Sequence, residues 1–491
     1  MSHGIALFRR PLAFLSSLPA HGDLVRIRLG PTRAWVVCHP ELVHRMLLDT
    51  RSFDKGGPQY DRLRLLMGDG LVTSRQETHR RQRRLLQQRF TPARIAAHTR
   101  LMGEEAEAVC RTWRPGQRID VSAQMMALTT RVTGRVLLSD TLDEATAAEV
   151  RDCLSAIVRG LFVRTVVPVD APFRVPTPAN RRYRSAVARL HAIVASAVAE
   201  RRAGPPRDDL LGTLLAAADG GDGAAAISER EVHDHLITLL LTGVETTALC
   251  LASAFSLLAR HPEAEERLHA EVDTVLDGRR PGPDDLRRLV HTRRVVTETL
   301  RHSPPGWLFT RVTAKETELG GCRLPRGATV LYSPYLLHHD PASFPEPDRF
   351  LPERWLPDRA GGVRHGAMLP FAAGSRKCIG DSFAVTEAMV ALAAVAARWR
   401  LRHPAGPVAA PRPAVTLGPR SLVMWCAPRA QEPVRTPSEE PVRTPSQAPV
   451  RTPSQAPVRT PSQSRFLAHR GTVDSRAQDS RTAGDRDVDD A

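Results

Sequence analysis

The spacing of hydrophobic and polar positions predicts a chain of mostly helices with a few strands. Val25, Ile27 and Leu29 alternate with polar residues, Gly30-Pro31 follows, and Ala34 to Val37 resumes the apolar run, which predicts a β-hairpin. A second strand is predicted over 328–332, after the turn residues Pro325-Arg326-Gly327. Helical spacing fills the intervening sequence, for example over 185–202. The longest such segment opens at Ser228, which stands in capping-box spacing with Glu231, and runs to about Arg260, where His261-Pro262 ends it. At 1.5 Å per residue this helix would be about 48 Å long and would cross a whole domain.

Residues 236–259 of that helix are apolar enough to suggest a membrane span, but Glu245 sits in the middle, flanked by Thr246 and Thr247. An acidic side chain at a bilayer centre costs about 2.5–3.5 kcal/mol. No second span and no aromatic belt accompany it, so a buried central helix with a functional polar kink is the preferred reading. The expected fold class is mainly α with a small β region, without a membrane anchor.

The apolar pattern stops at Ala427. Pro433 to Ser464 holds four eight-residue units, PVRTPSEE, PVRTPSQA, PVRTPSQA and PVRTPSQS. Two prolines per unit remove backbone donors and fix φ, so neither helix nor ladder can propagate. The expected organisation is a folded domain over 1–426 and a disordered Pro/Arg/Ser/Thr repeat tail over 427–491, with a proline-motif docking site as the alternative role for the tail.

Charge and cysteine usage narrow the partners. The 491 residues carry 69 Lys+Arg against 53 Asp+Glu, a formal net charge of +16; ten Arg and nine Asp/Glu in the tail leave +15 on the body. Lysine occurs only at positions 55, 315 and 377, so the basic charge is almost all arginine. Aromatic residues make up 5%, too few to favour a base-stacking surface, and no nucleic-acid partner is expected. The seven cysteines are scattered and form no CxxC pair, which argues against a zinc ribbon or a disulfide framework and for a reducing cytoplasm.

One cysteine lies in a specific pattern. Residues 371–380 read Phe-Ala-Ala-Gly-Ser-Arg-Lys-Cys-Ile-Gly, or FxxGxRxCxG, in which Gly374 and Gly380 permit turns and close approach. This segment resembles the haem-binding loop of the cytochrome P-450 haem-thiolate monooxygenases. Three further segments resemble the family's signatures in the family's order: Gly70 to Phe90, Thr242-Gly243-Val244-Glu245-Thr246-Thr247, and Glu298-Thr299-Leu300-Arg301 followed by Pro352-Glu353-Arg354-Trp355. Glu298 and Arg301 lie at i, i+3 and can pair on one helix face.

The resemblance implies a single haem-binding domain of the P-450 fold holding haem b. It implies Cys378 as the iron ligand, a thiolate whose electron donation favours O–O cleavage. It further implies His79, Arg83, Arg311 and Arg376 as propionate ligands, with Phe371 in the cofactor-binding loop. Glu298, Arg301 and Arg354 would form a buried charge triad bracing that loop. Gly243 would let the long helix widen locally, and Glu245 and Thr246 would deliver protons for oxygen activation. Thr242 departs from the family's usual alanine or glycine. Arg80, Arg81, Arg84 and Arg89 are expected to face solvent as a docking surface for an acidic ferredoxin.

Within the family, the chain is most similar to bacterial sesquiterpene oxidases, the pentalenene oxygenases above all. The similarity lies in segments 21–31, 53–58, 176–183, 297–311, 327–341 and 370–381. It implies hydroxylation, single or repeated, of a cyclic sesquiterpene hydrocarbon such as pentalenene in secondary metabolism. O2 would be consumed, with electrons from a ferredoxin and a ferredoxin reductase, since no flavin domain is fused. Gly306, Trp307, Leu308 and Phe309 would form an apolar wall for the hydrophobic small-molecule substrate, and 161–178 an access lid. The alternatives are another terpene or a fatty acyl chain as substrate, and a non-enzymatic haem sensor, which would not need Glu245 and Thr246.

Overall fold

Ser228 starts the helix around which the rest of the chain is arranged. Its hydroxyl accepts the backbone N–H of Glu231 at 3.2 Å, and the Glu231 carboxylate accepts the Ser228 N–H at 2.9 Å, a complete capping box. The helix Glu229–Leu258 then runs for 30 residues, about 45 Å, and is capped at Ala259 just before the helix Pro262–Leu276. Its apolar run is explained by packing rather than by lipid: 83% of its most apolar window is buried inside the protein. The computed structural model describes residues 3–29, 32–138, 143–166, 171–220, 226–406 and 412–429. The chain divides into a unit Met1–Gln431 and a unit Glu432–Ala491; the repeat tail lies in the second, outside the described residues.

Two apolar cores meet along the long helix. Leu236, Ile237, Leu240, Leu241 and Val244 pack with Glu144–Val166, Pro178–Ala203 and Leu210–Asp219. From Ala248 onward, the same helix packs against Val121–Leu138, Val290–His302 and Asp381–Ala396. Glu245, Thr246 and Thr247 fall at the seam between these cores, so the polar triplet interrupts neither. The helix runs continuously through Gly243. A Cβ at Gly243 would lie 3.4 Å from Thr133 Cγ2 on the helix Val121–Leu138, an ordinary contact distance.

The small β component is drawn from segments before residue 121 and after residue 308. The predicted hairpin forms from Leu24–Leu29 and Thr32–Val37. Thr32–Val37 pairs in parallel with Thr329–Tyr332, the fully buried central strand, which pairs antiparallel with Phe309–Thr313; Phe53–Asp54 closes the five-stranded sheet. A second sheet places Val423–Pro428 between Arg118–Asp120 and Trp399–Arg402. Ordered contacts pass the expected limit at 426, because Arg429 pairs with Asp273 at 2.5 Å and donates to the Ala396 carbonyl. A short hairpin of Arg412–Pro413 and Leu417–Gly418 returns toward the long helix. The expected lid over 161–178 begins inside the helix Glu144–Val166 and includes the turn of helix Ala171–Arg174; 167–170 lie outside the described residues.

Candidate active site

The cysteine loop is shaped by its backbone. Gly374 has φ +69°, and a Cβ there would lie 2.5 Å from the Leu47 carbonyl, so only glycine fits. The loop closes with Lys377 N–H donating to the Gly374 carbonyl at 3.0 Å and Cys378 N–H to the Phe371 carbonyl at 2.9 Å. Phe371 thus contributes a main-chain acceptor, while its ring packs against the larger core. The helix Asp381–Ala396 opens directly after the loop, with Gly380 as its cap. Burial pushes the Cys378 thiol up; the Gly380 backbone hydrogen bond, Lys55 and Arg83 oppose this, and Asp381 adds to it. The thiol is surrounded by protein yet keeps accessible surface, as a side chain facing an internal void does.

Cations converge on that void. His79 and Arg83 share one face of the helix Gln76–Gln87. His79 is buried, and burial together with Arg376, Lys55 and Arg83 holds its imidazole down at about 2, so it is neutral. Arg83 donates to the Lys377 carbonyl and to Gln87. Arg311 is buried and donates to its neighbour's carbonyl, Thr310 O, at 2.9 Å, with the Tyr60 and Tyr332 hydroxyls at 3.4 and 3.5 Å. Arg376 pairs with Asp54 at 2.6 Å and donates to the Ser74 carbonyl. Lys55, unforeseen from the sequence, completes the group; burial and then Arg311 and Arg376 hold its amine well below the ordinary value. Four basic side chains, Lys55, Arg83, Arg311 and Arg376, gather there against two carboxylates, Asp54 beside Arg376 and Asp381 near Arg83. Such a surplus is unfavourable unless an anion joins it. Haem fits this site, since its two propionates supply the missing charge and its iron needs a single protein thiolate. Among the described residues, no group of three or more His, Cys, Asp or Glu could hold a metal without such help.

Behind the loop, Glu298 and Arg301 are both fully buried and paired through two bonds, of 2.8 and 3.0 Å. Arg301 also donates to the carbonyls of His338, Pro347 and Arg349. Glu298 accepts from Leu351 N–H and, at 2.9 Å, from Trp355 Nε1. Arg354 Nε stands 3.5 Å from Glu298, and its terminal nitrogens donate to the carbonyls of Pro345 and Glu346. The connection to the cysteine loop runs through His338, whose Nε2 accepts the Leu369 N–H at 2.9 Å, two residues before Phe371. The sequence pattern identifies the pair but not this histidine.

On the long helix, Thr246 donates its hydroxyl to the Thr242 carbonyl at 2.7 Å, and Thr242 in turn to Thr238. Glu245 is buried and turns toward the C-terminal hairpin. Its carboxylate accepts the Thr416 hydroxyl at 2.9 Å and lies 3.8 Å from Arg420. Burial pushes this carboxyl up, against Arg420 and Thr416.

Two expectations need correction. Trp307 does not stand free as a cavity wall: it packs with Leu15, Leu18, Val36 and Leu331, and its Nε1 donates to the Ala414 carbonyl at 2.9 Å. Leu308 and Phe309 are half-buried; the Phe309 ring stacks on Tyr332 and covers Gly306, where a Cβ would lie 2.6 Å from it. Of the arginines expected to face solvent, Arg80 and Arg84 do. Arg81 pairs with Glu231 and donates to the Ala226 carbonyl, tying down the start of the long helix, and Arg89 pairs with Asp208 and bonds Thr213. Both are recruited by acceptors on elements distant in sequence, which helical periodicity does not reveal.

The cytochrome P450 family model matches residues 15–424. The chain is 50% identical over 430 residues to cyclooctat-9-en-7-ol 5-monooxygenase of Streptomyces melanosporofaciens, covering 87% of this chain and 93% of that protein. It is 48% identical over 429 residues to cyclooctatin synthase of the same organism, with the same coverage. Pentalenene oxygenase of Streptomyces avermitilis, the relative to which the sequence motifs point, is 44% identical over 402 residues, covering 82% and 89%. The crystal structure of the cytochrome P450DA heme domain superposes with a TM-score of 0.77 at 26% identity, covering 87% of this chain and 94% of that one. Sequence, fold and the chemistry of the cationic void agree: this chain belongs to the cytochrome P450 family of haem-thiolate monooxygenases.

Proposed function

We propose that this enzyme oxidises a cyclic terpene, either a hydrocarbon or an alcohol derived from one, in secondary metabolism. The identity of 44–50% to three terpenoid-oxidising relatives along most of their length carries this reading. The substrate is not narrowed to pentalenene, because the two cyclooctatin-related enzymes are more similar. Bound haem supplies the oxidation itself, in which one atom of O2 enters the substrate and the other leaves as water, with two electrons and two protons consumed.

The chain's own residues do the rest. Cys378 would supply the thiolate that holds the haem iron, and a coordinating thiol is deprotonated outright. Lys55, His79, Arg83, Arg311 and Arg376 would hold the propionates, and the Phe371 carbonyl closes the cysteine loop by accepting the Cys378 N–H. Glu298, Arg301 and Arg354 keep that loop in register. Glu245 and Thr246 move protons to the oxygen-activating face. Gly306, Leu308 and Phe309 would present an apolar surface to the substrate, with Trp307 packed among Leu15, Leu18, Val36 and Leu331. Electrons come from a cytoplasmic ferredoxin and its reductase, docking near the exposed Arg80, Arg84 and Lys377. The scattered cysteines, all free, suit that compartment.

Reduced holoenzyme under carbon monoxide should show the strongly red-shifted Soret band of a thiolate haem, and Cys378→Ala should lose it. Incubation with cyclooctat-9-en-7-ol, pentalenene and a fatty acid, using a surrogate ferredoxin system, should give oxygenated product from a terpene. Product from the fatty acid alone would overturn the substrate class. Thr246→Ala should divert reductant to peroxide; full coupling in that variant would remove Thr246 from proton delivery.

A further inference from the structure

Neither group of the proton-delivering pair is arranged to deliver. Thr246 donates inward to the Thr242 carbonyl, and Glu245 is held on its far side by the C-terminal hairpin, through Thr416 at 2.9 Å and Arg420 at 3.8 Å. The hairpin backbone that presents Thr416 is pinned on both sides. Leu417 N–H donates to the Pro305 carbonyl at 2.9 Å, Trp307 Nε1 donates to the Ala414 carbonyl, and Gly418 lies so close to Leu249 that a Cβ would approach within 2.9 Å. Between those fixed points Val415 sits at the tip of a turn closed by the Ala414 N–H, which donates to the Thr416 carbonyl at 3.1 Å, so a push on Val415 is felt at Thr416. Val415 is half-buried against the apolar cluster that includes Leu63, Leu66, Leu241 and Val244. A hydrocarbon in that neighbourhood would press on Val415.

We infer that Thr416, assisted by Arg420, is a clasp that parks Glu245 away from Thr246 until substrate displaces Val415 and frees the carboxylate. The inference rests on the reading of Glu245 as a proton donor and adds the residue that times it. Both holders favour the ionised carboxylate, Thr416 by donating a hydrogen bond and Arg420 by its charge. Release therefore lets Glu245 take a proton from solvent and pass it to the Thr246 hydroxyl. Thr416 is a positioning residue: it acts on Glu245 and reaches neither substrate nor cofactor through its hydroxyl. The arrangement would withhold protons from an empty site, where their arrival only wastes reductant as peroxide.

The test uses full-length holoenzyme without substrate, a surrogate ferredoxin and reductase, and the variants Thr416→Val, Thr416→Ser, Arg420→Gln and Glu245→Gln. Thr416→Val should raise substrate-free reductant consumption and peroxide release at least threefold. Its infrared spectrum should gain a C=O stretch of a protonated carboxyl that Glu245→Gln removes from the double variant. Thr416→Ser should match the parent in both readouts. Arg420→Gln, on the surface, should give a smaller rise and stands in for Thr416→Val should that variant not fold. A Thr416→Val enzyme with parental leak and no new band overturns the clasp. Glu245→Gln decides the underlying reading separately, on substrate-bound enzyme: uncoupling there with a silent Thr416→Val leaves the relay standing and the clasp refuted, whereas unchanged coupling refutes the relay itself.

Discussion

Arg301→Leu would remove a fully buried guanidinium that makes five hydrogen bonds. Its guanidinium makes two bonds to Glu298 and one each to the carbonyls of His338, Pro347 and Arg349, at 2.7–3.0 Å and with no solvent exposure. Deleting one partner of a buried ion pair costs about 3–5 kcal/mol, because the other charge stays behind. Each carbonyl left without a donor adds about 1–3 kcal/mol. Water entering the gap would satisfy several of these groups at once, so the parts overlap, and we expect a loss of at least about 5 kcal/mol. Domains are typically stable by about 5–15 kcal/mol, so little folded, haem-loaded protein should remain. Trp355→Phe removes only the 2.9 Å bond to Glu298 and should cost about 1.5–3 kcal/mol, the scale for a hydrogen bond to a charged acceptor. Denaturant unfolding followed by circular dichroism gives the free energies, and the haem-to-protein absorbance ratio gives loading. An Arg301→Leu protein within about 1 kcal/mol of the parent and fully loaded with haem would refute the bracing argument.

Charge reversal at the exposed Arg80 and Arg84 should slow ferredoxin-driven turnover several-fold at low salt and leave peroxide-driven turnover unchanged. The difference should shrink as the screening length falls to about 8 Å at physiological ionic strength; equal low-salt rates would remove this surface from docking. Glu387 is buried beside Thr247, and burial pushes its carboxyl up to about 8. A raised carboxyl costs nothing below its ordinary range and progressively more as pH climbs toward 8. Relative to Glu387→Gln, the parent should therefore lose stability between pH 5 and 8; a difference in unfolding midpoint that does not change with pH would contradict the assignment.

What was readable in the sequence is what depends on local spacing. The hairpin at 24–37 and the cap at Ser228 are local events, and both formed where period and capping chemistry put them. The clustering of the cysteine loop with the basic helix was legible only through motif resemblance, since almost 300 residues separate them. Lys55 had a usable signal: in a chain with three lysines, one adjoins Cys378 and another proved to face it. Thr416 and Arg420 had none, because two-residue strands carry no periodicity and their partner Glu245 lies far back in sequence. Arg81 shows the opposite error, in which a polar helix face looks solvated until another element arrives with an acceptor.

The parallel pairing of Thr32–Val37 with Thr329–Tyr332 also sets a timetable for synthesis. The N-terminal hairpin can form as soon as it is made, but the free edge of Thr32–Val37 must wait for a partner about 290 residues downstream, roughly 15–60 s at 5–20 residues per second. Throughout that interval a β edge ending in the apolar Trp35, Val36 and Val37 is open to any other nascent chain. Its only built-in deterrent is charge, from Arg33 on that edge strand and Arg26 and Arg28 on the strand beside it. Crowded, rapid overexpression should therefore favour aggregation through this edge, and slower synthesis at lower temperature should raise the soluble yield without any change in the folded protein.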